Sequence, residues 1–545
     1  MDWRKWFSEF PEWIAYYSPE IFIDDSLWST AGGLGIITHS LLRASHRLRL
    51  PVVGVTIRWR EGFYQQKIGP DGIGFEYVSH SDENLVDTGV KVKIQIGGNS
   101  NVFLKVWLIP PGAFETGPCV CLDADTEEND IVSRQNTKRL YYGDSGQKLA
   151  QMIIFGIGEP RALEALGIKV KTYHLNDPHC ALVGIELLRR KMSEGLDFQQ
   201  ALAWVKEHVV FTTHTPVIIS ETYDFEKMIG LGCFPDFNQE GRFTREQIAF
   251  LGRNYFNERE FSPIAFCLRT AGISNAVSKL HAETSRQMLA WVEDSCPIIP
   301  ITNGVDVPYW QLPEFAEART PETLKEAKTN SKTLLFDEIR GQYVQYGVIK
   351  NFKSDAITAG WGRRPQDYKR PWFVRELEMQ TIVAGKPHPF DSGMVTLWNQ
   401  IWQNSKIVAD LAMLPENGYL SKKLMKAGVD LWLLTSRRPW EACEDCFMSA
   451  MLNGCLVMAS PDGGPLEIEP GHCFLYGTEE TCSNSAEQDS RDLEAARHLL
   501  PKISQIYYQE PDRWWRMALE GKEEAEETFS AERMTKDYAS QMWKL

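Results

Sequence analysis

The fold is decided by one stretch of the chain, residues 356–370, which reads AITAGWGRRPQDYKR. Its first five residues are apolar or small, a pattern that predicts a buried strand over 356–360. Four cations follow within eight residues: Arg363, Arg364, Lys369 and Arg370. A strand that runs directly into such a cluster is typical of an α/β sheet with an anion-binding loop at its carboxyl edge. A solvated basic loop is the other interpretation.

Strand patterns of the same kind occur on both sides of this stretch. Apolar, β-branched runs lie at 52–57, 209–213 and 380–384, and helical patterns include 150–166 and 181–191. Buried strands that alternate with helices predict parallel sheets covered on both faces. Two such series predict two doubly wound domains with a ligand-binding cleft between them.

The domain boundaries follow from where the strand patterns stop. We predict a Rossmann-like domain over 1–311, a helical connector over 312–353 and a second Rossmann-like domain over 354–486. The tail, 487–545, is polar with a helical pattern, and we expect its helices to pack back across the cleft.

Composition and charge exclude several classes of protein. The 545 residues include 58 Lys and Arg against 73 Asp and Glu, and the net charge of −15 argues against a nucleic-acid partner. The hydrophobic fraction of 43% suffices for large cores. No run approaches the roughly 18 apolar residues that span a bilayer. The chain start lacks a secretion signal, and eleven scattered cysteines favour a reducing compartment, so we expect a cytoplasmic protein.

Two further motifs predict binding groups at strand ends. Clustered glycines at Gly32, Gly33 and Gly35 precede a helical pattern over 36–48; they could present amides to an anion, although a tight turn is the simpler interpretation. The run 173–179 supplies histidines, an amide and a carboxylate. Its two histidines are five residues apart with no further ligand nearby, so a polyol-binding site is favoured over a metal site.

Two more segments were weighed in the same way. His214, in the run 211–216, would suit a cleft wall. Cys443 and Cys446, with Cys455, could form half of a zinc site, but no second ligand pair stands at a matching distance, which favours buried thiols. We therefore predict no metal site.

Taken together, these segments resemble the α-glucan (glycogen, maltodextrin) phosphorylases, especially their short bacterial and archaeal form. The matching blocks run in family order from about Tyr16 to about Gly464: 17–20, 32–35, 60–66, 173–182, 211–216, 277–281, 301–305, 363–370, 384–389 and 437–442. The fold that this resemblance implies is GT-B, two Rossmann-like domains with the active site in the interdomain cleft. A homodimer is also possible.

The resemblance also implies roles for individual residues. Gly32, Gly33 and Gly35 would bind the phosphate of the reacting sugar, Asn176 and His179 would lie along that sugar, and His214 would join them. Arg364 and Lys369 match the cations that hold phosphate, and Glu441 matches the carboxylate that grips sugar hydroxyls. His179, Arg364, Lys369 and Glu441 form the expected catalytic set. Arg363 and Arg370 fall outside the phosphate positions, so we expect their substitution to cost less.

The sequence departs from the family at one place. The lysine that forms the Schiff base to pyridoxal phosphate is replaced by Ser449, which lacks the amine that an imine requires. Glu444 and Asp445 stand where small residues seat the cofactor phosphate, and their charges would repel it. We therefore expect no pyridoxal phosphate and no other cofactor.

The same region also resembles the donor site of retaining nucleotide-sugar glycosyltransferases, which share the GT-B fold. This second resemblance adds Gly463 and Gly464 to the expected donor-binding residues. Our expectation is a retaining glycosyltransferase that moves a sugar from a nucleotide sugar to a carbohydrate or small-molecule acceptor. A phosphorylase-type enzyme that uses sugar 1-phosphate and inorganic phosphate, and a non-catalytic carbohydrate-binding relative, are the alternatives.

Overall fold

The computed structural model describes residues 2–22, 27–69, 72–97, 100–214, 221–237, 239, 242–414 and 418–545. Strands of the first half are β1 Trp13–Tyr17, β2 Ile21–Phe22, β3 Trp28–Ser29, β4 Val52–Ile57, β5 Gln65–Gly69, β6 Gly72–Glu76, β7 Val86–Gln95, β8 Asn101–Ile109, β9 Cys119–Asp123, β10 Val170–Asn176, β11 Val209–Thr213, β12 Tyr223–Asp224, β13 Glu260–Phe261, β14 Ile273–Ala276 and β15 Ile298–Pro300. Its helices are α1 Gly33–Arg47, α2 Ile131–Gln135, α3 Ser145–Ile153, α4 Glu159–Ala165, α5 Leu182–Ser193, α6 Phe198–His208, α7 Phe225–Leu231, α8 Arg245–Gly252, α9 Pro263–Thr270 and α10 Lys279–Met288.

The second half contains a second set of strands and helices. Between the two sheets lie α11 Val307–Trp310, α12 Pro313–Glu317 and the long helix α13 Pro321–Val344. The strands are β16 Thr358–Gly362, β17 Gln380–Ala384, β18 Leu411–Leu414, β19 Leu431–Leu434, β20 Leu456–Ala459 and β21 Cys473–Leu475. The remaining helices are α14 Phe373–Glu376, α15 Ser392–Ile407, α16 Tyr419–Gly428, α17 Cys446–Met451, α18 Ser485–Gln509, α19 Pro511–Thr528 and α20 Ala531–Gln541.

The larger sheet has, within the described residues, nine strands in the order β15-β14-β11-β10-β1-β4-β9-β8-β7. From β15 to β9 all neighbours are parallel, and chain order reverses between β10 and β1. Along β1, Ile14 and Tyr16 face one core, whereas Ala15 and Tyr17 face the other. Burial on both faces is what a parallel sheet covered by helices requires.

The edge of this sheet differs from the prediction of purely parallel strands. β8 runs antiparallel to both β7 and β9. A short loop joins β7 to β8, and only an antiparallel pair can be joined without a long crossover. Along β7 most side chains on one face are exposed, as expected for a strand at a sheet edge.

The smaller sheet has six described strands, all parallel, in the order β18-β17-β16-β19-β20-β21. This is the doubly wound Rossmann order. The strands stay parallel, and the order in which the chain adds them reverses between β16 and β19. The carboxyl ends of β16 and β19 therefore border the crevice in which a doubly wound sheet binds its ligand. The chain thus has two Rossmann-like domains in the GT-B arrangement.

The predicted elements agree with the structure in their core and differ at their ends. Strands 52–57, 209–213 and 380–384 are confirmed. The predicted helix 150–166 is divided: α3 is followed by a π-helical turn over Ile154–Gly158 and then by α4. The strand predicted over 356–360 lies two residues later, at Thr358–Gly362. Gly360 and Gly362 belong to the strand because the Trp432 ring packs in the space that their missing side chains leave.

The C-terminal helices return to the first domain. Asn275 Nδ2, on β14, lies 3.1 Å from the hydroxyl of Tyr538 on α20, and Trp543, just after α20, donates from Nε1 to His174 Nδ1 at 3.0 Å. The described helices include none that is long and apolar enough to cross a membrane.

Candidate functional site

A cavity of about 590 Å³ opens between the carboxyl ends of the two sheets. The first domain lines it with Gly32, Gly33 and His179, which follow β3 and β10. The second domain lines it with the loops that follow β16 and β19, including Arg364 and Glu441. Both switch points thus face one cleft, where doubly wound domains bind their ligands.

The glycine-rich loop forms the first wall and opens helix α1. Buried Glu20 accepts hydrogen bonds from the Ala31 amide at 2.8 Å and the Gly32 amide at 3.2 Å, so these two donors are occupied. Helix α1 begins at Gly33. The amides of its first turn have no intrahelical partners and can therefore bind an anion. Gly35 lies off the wall, because a side chain there would overlap Thr30.

The cation loop after β16 forms the opposite wall, and its arginines have different roles. Arg364 lines the cavity, and its Cζ lies 3.8 Å from where a Gly32 Cβ would be. In the described part of the chain, Arg364 has no ion pair. Arg364 is therefore a cation at the glycine loop that is free to bind an anion.

Arg363 and Lys369 are matched by carboxylates. Buried Arg363 pairs with both Glu441 and Glu444, and Lys369 Nζ lies 3.3 Å from Glu441 Oε2. Burial lowers the pKa of Lys369, and Arg363 beside it adds to that effect. Arg363 also lines the cavity, and the expectation that it lies outside the phosphate positions stays a prediction.

Arg370 is structural and is not part of a solvated basic loop. Its side chain is buried and donates to the carbonyl oxygens of Thr435 at 2.6 Å and Ser436 at 2.7 Å. Its Nη1 also lies 2.8 Å from Asp492 on α18. Arg370 therefore ties α18 to the loop after β19, while the expectation that its substitution costs little donor binding stays a prediction.

The loop after β19 carries two buried carboxylates that share one hydroxyl. Ser436 Oγ lies 3.0 Å from Glu441 Oε2 and also within hydrogen-bond distance of Glu444, so its single hydrogen can be donated to only one of the two at a time. Burial raises the pKa of Glu444 to about 7, against the opposing effect of Arg363. Burial would also raise the pKa of Glu441, but Lys369 and Arg363 outweigh it and the pKa is lowered. The two carboxyl groups thus differ in charge near neutral pH.

Asp445 extends from this loop to the glycine loop of the other domain. Its Oδ1 accepts a hydrogen bond from Asn303 Nδ2 at 2.7 Å, and its Oδ2 lies 3.1 Å from where a Gly33 Cβ would be. Burial raises the pKa of Asp445 to about 6. A carboxyl group therefore lies at the place where the sequence predicts a bound phosphate.

The histidines of the first domain are held by polar partners. His179 Nδ1 lies 2.6 Å from Asp177 Oδ1, and His214 Nε2 lies 2.5 Å from Asn176 Oδ1. Burial lowers the pKa of His214 to about 4. Burial also acts to lower the pKa of His179, but Asp177 outweighs it and raises the pKa. Both histidines line the cavity.

Several predicted site residues lie behind the wall. Asn176 is buried, and it contacts His214 instead of lining the cavity. His174 is also buried, between Thr212 and Trp543. The predicted wall positions Thr215 and Pro216 lie outside the described residues.

Gly463 and Gly464 also lie off the cavity wall. Gly464 donates its amide to the Cys443 carbonyl oxygen at 3.0 Å, and a side chain at either glycine would press on Cys443. They let two loops pack closely, so the structure does not place them as donor-binding residues.

Ser449 has a lysine as its partner. Lys426 Nζ, on α16, donates to Ser449 Oγ at 2.6 Å and lies 3.7 Å from the centre of the Trp310 ring. Burial lowers the pKa of Lys426 to about 8. An amine is therefore present beside position 449, although the sequence places none at 449 itself.

The sequence analysis overlooked Glu20, Asn303 and Lys426. Glu20 and the Asn303 block were quoted only as family-like segments, and nothing in their spacing showed that both contact the cleft loops. Lys426 could have been suspected, because Lys422 and Lys426 are four residues apart on a helix and share a face. Among the described residues, no cluster of three or more His, Cys, Asp or Glu side chains could hold a metal.

Comparison with known proteins places the chain in a family. An uncharacterized protein of Methanocaldococcus jannaschii is 33% identical over 97% of this chain and 99% of its own length. The glycogen phosphorylase of Mycobacterium tuberculosis is 28% identical over 97% of this chain and 70% of that protein. The chain is a relative of the α-glucan phosphorylases.

A further relative extends the comparison. The maltodextrin phosphorylase of Thermococcus litoralis is 27% identical over 99% of this chain and 72% of that protein. No family model matches the chain. The relatives support an enzyme of phosphorylase-like fold that acts in carbohydrate metabolism.

The family resemblance implies pyridoxal phosphate, but the residues present do not fit it. Ser449 supplies a hydroxyl at the position of the family's imine-forming lysine, and the amine of Lys426 beside it donates to that hydroxyl and lies over the Trp310 ring. Glu444 is buried and Asp445 half-buried where the cofactor phosphate would lie, and their carboxylates would repel that phosphate. Arg363, which could have offset this charge, is already engaged by Glu441 and Glu444.

Proposed function

We propose that the chain transfers a hexosyl unit between a sugar 1-phosphate and a carbohydrate acceptor, without pyridoxal phosphate. The observation that carries this proposal is the position of Arg364, an unpaired cation beside the open amides of the glycine loop. An arginine and a helix start together form a binding site for one phosphate group. The phosphorylase relatives support a sugar phosphate as the donor.

The pairing of the other cations favours one phosphate over two. A nucleotide sugar carries a diphosphate, whose second phosphate would need further positive charge. Arg363 and Lys369, the cations that share the loop with Arg364, are already engaged by Glu441 and Glu444. We therefore favour a sugar monophosphate over the nucleotide sugar expected from the sequence.

The site would act mainly through electrostatics. Arg364 and the amides from Gly33 onward would stabilise the charge that develops on the departing phosphate. Glu441, held by Ser436 and Lys369, would accept hydrogen bonds from sugar hydroxyls. His179, held by Asp177 at 2.6 Å, would donate to the same sugar.

A turnover assay tests this proposal. Protein shown by mass spectrometry to be free of pyridoxal phosphate is incubated with glucose 1-phosphate and maltodextrin, and phosphate release is measured. UDP-, ADP- and GDP-glucose are assayed in parallel. We expect phosphate release from the sugar phosphate and slower transfer from every nucleotide sugar. Transfer only from a nucleotide sugar, or only after pyridoxal phosphate is added, would contradict the proposal.

A further inference from the structure

Asp445 marks the point at which the two walls of the cleft meet. One carboxyl oxygen is bound by Asn303, whereas the other lies against Gly33, at the start of helix α1. Asp445 belongs to the second domain and Gly33 to the first. An anion bound by the glycine loop and Arg364 would therefore lie next to a carboxyl group supplied from across the cleft.

The surroundings of Asp445 contain both signs of charge. The titratable and polar groups that face it are Asn303 after β15, Lys369 after β16, Lys426 on α16, Glu441 and Cys443 on its own loop, and Tyr538 on α20. Burial and the nearby Glu441 favour the protonated carboxyl group, whereas Asn303 and Lys369 favour the carboxylate. Asp445 can thus hold a proton in this setting without being locked in that form.

Two anions cannot lie side by side in a half-buried cleft unless a proton is placed between them. A phosphate monoester loses its second proton with a pKa of about 6, so it can share a proton with a carboxylate near neutral pH. Sulfate has the same shape but holds no proton in this range. A carboxylate beside it would find no hydrogen to accept.

We propose that Asp445 shares one proton with the phosphate group of the donor and makes the site select phosphate over sulfate. This inference rests on the proposed function, because it takes the bound anion to be the donor's phosphate. Above the pKa values of the carboxyl group and of the phosphate monoester, binding of the monoester dianion would take up one proton from solvent, whereas inorganic phosphate still carries one hydrogen and can share it without uptake. The atoms balance because the complex contains phosphate dianion, carboxylate and that proton.

Calorimetric titration tests the inference through binding alone. The full chain is titrated at about pH 8 with inorganic phosphate, glucose 1-phosphate and sulfate, each in two buffers that differ in ionisation enthalpy. The same titrations are made with Asp445→Asn and with Asp410→Asn, an exposed aspartate outside the cavity that serves as a matched control. The buffer dependence of the measured heat gives the number of protons taken up.

We expect the native chain and Asp410→Asn to take up about one proton per glucose 1-phosphate and little for inorganic phosphate, and to bind sulfate roughly 10- to 150-fold more weakly than inorganic phosphate, the range of one charge-assisted hydrogen bond. Asp445→Asn should lose the proton uptake and bind the two anions alike. Equal binding of phosphate and sulfate by the native chain, without proton uptake, would overturn the inference and leave the proposed function standing. Failure of the native chain to bind phosphate or glucose 1-phosphate would overturn both.

Discussion

The two walls of the cleft carry out different tasks with different chemistry. The first wall is made of backbone amides, and Glu20 fixes its loop. The second wall is made of side-chain charges, and two of its cations are held by carboxylates of the same domain. Both walls carry groups that could bind a single phosphate. Acidic side chains, by contrast, occupy the positions at which the family resemblance places the cofactor phosphate.

The largest expected effect concerns Arg370, which contributes to the second wall only as a structural support. Arg370→Ala should lower the free energy of unfolding by about 3–5 kcal/mol, because it leaves Asp492 and two carbonyl oxygens without their buried partner. Arg364→Ala is the matched control and should stay within about 0.5 kcal/mol of the native chain. Urea denaturation measures both. Similar, small losses for the two variants would remove the distinction between them.

The next effect separates Arg364 from its neighbours by binding. Arg364→Ala should weaken binding of glucose 1-phosphate by about 10- to 150-fold, the loss of one or more charge-assisted hydrogen bonds. Lys386→Ala, elsewhere on the same wall, is the comparison variant and should lose less. Calorimetric titration of both variants gives the ratio, and an equal loss would show that the wall attracts anions without a specific site.

A smaller effect follows from the acidic loop. Burial raises the pKa of Glu444 to about 7 and that of Asp445 to about 6, so the folded chain retains protons that the unfolded chain has already lost. The contribution of these two groups to the free energy of unfolding is therefore greatest below their unfolded pKa values near 4, and it falls as pH rises towards 7. The double variant Glu444→Gln, Asp445→Asn should lack this fall, which we expect to be of order 1–3 kcal/mol.

Thermal or urea unfolding between about pH 4 and pH 8 measures this difference. The comparison is made within each variant across pH, so a uniform change in stability caused by the substitutions does not affect it. A native chain whose stability is flat over this range would show that the two carboxyl groups are well solvated.

The smallest expected effect is that of Ser449→Lys, which should not restore binding of pyridoxal phosphate. Ser449→Lys restores the amine that the family uses, but Glu444 and Asp445 remain at the seat of the cofactor phosphate. The new amine would also lie close to Lys426, whose Nζ is 2.6 Å from Ser449 Oγ. We expect no imine absorbance after incubation with pyridoxal phosphate, and a stoichiometric imine would show that the acidic loop is not the obstacle.

Much of the fold could be predicted because its strands are short, apolar and buried on both faces. Strands 52–57 and 380–384 have clear apolar patterns, and the structure confirms them. The antiparallel edge was not predicted because β7 is half-exposed, whereas β8 is apolar and the direction of its pairing follows from tertiary contacts. The strand at 358–362 was predicted two residues too early. Its glycines pack against Trp432, a distant residue, and local sequence does not show that contact.

Some residues that line the cavity could be predicted from the sequence, but their pairings could not. The sequence identified Arg364, Lys369 and Glu441, which all line the cavity. It could not show that Arg363 is held by Glu441 and Glu444, since ion pairs across a sheet follow from tertiary packing. For the same reason the contact of Asp445 with Gly33 joins two domains and has no signal in local sequence.

The central claim is that the cleft binds one phosphate group and needs no pyridoxal cofactor. The most direct measurement is a calorimetric titration of pyridoxal-free protein with glucose 1-phosphate and, separately, with UDP-, ADP- and GDP-glucose. We expect glucose 1-phosphate to bind and no nucleotide sugar to bind more tightly. Arg363 and Lys369 are already paired and so offer little charge to a second phosphate. A nucleotide sugar that binds more than about tenfold more tightly than glucose 1-phosphate, a difference of about 1.4 kcal/mol, would contradict it.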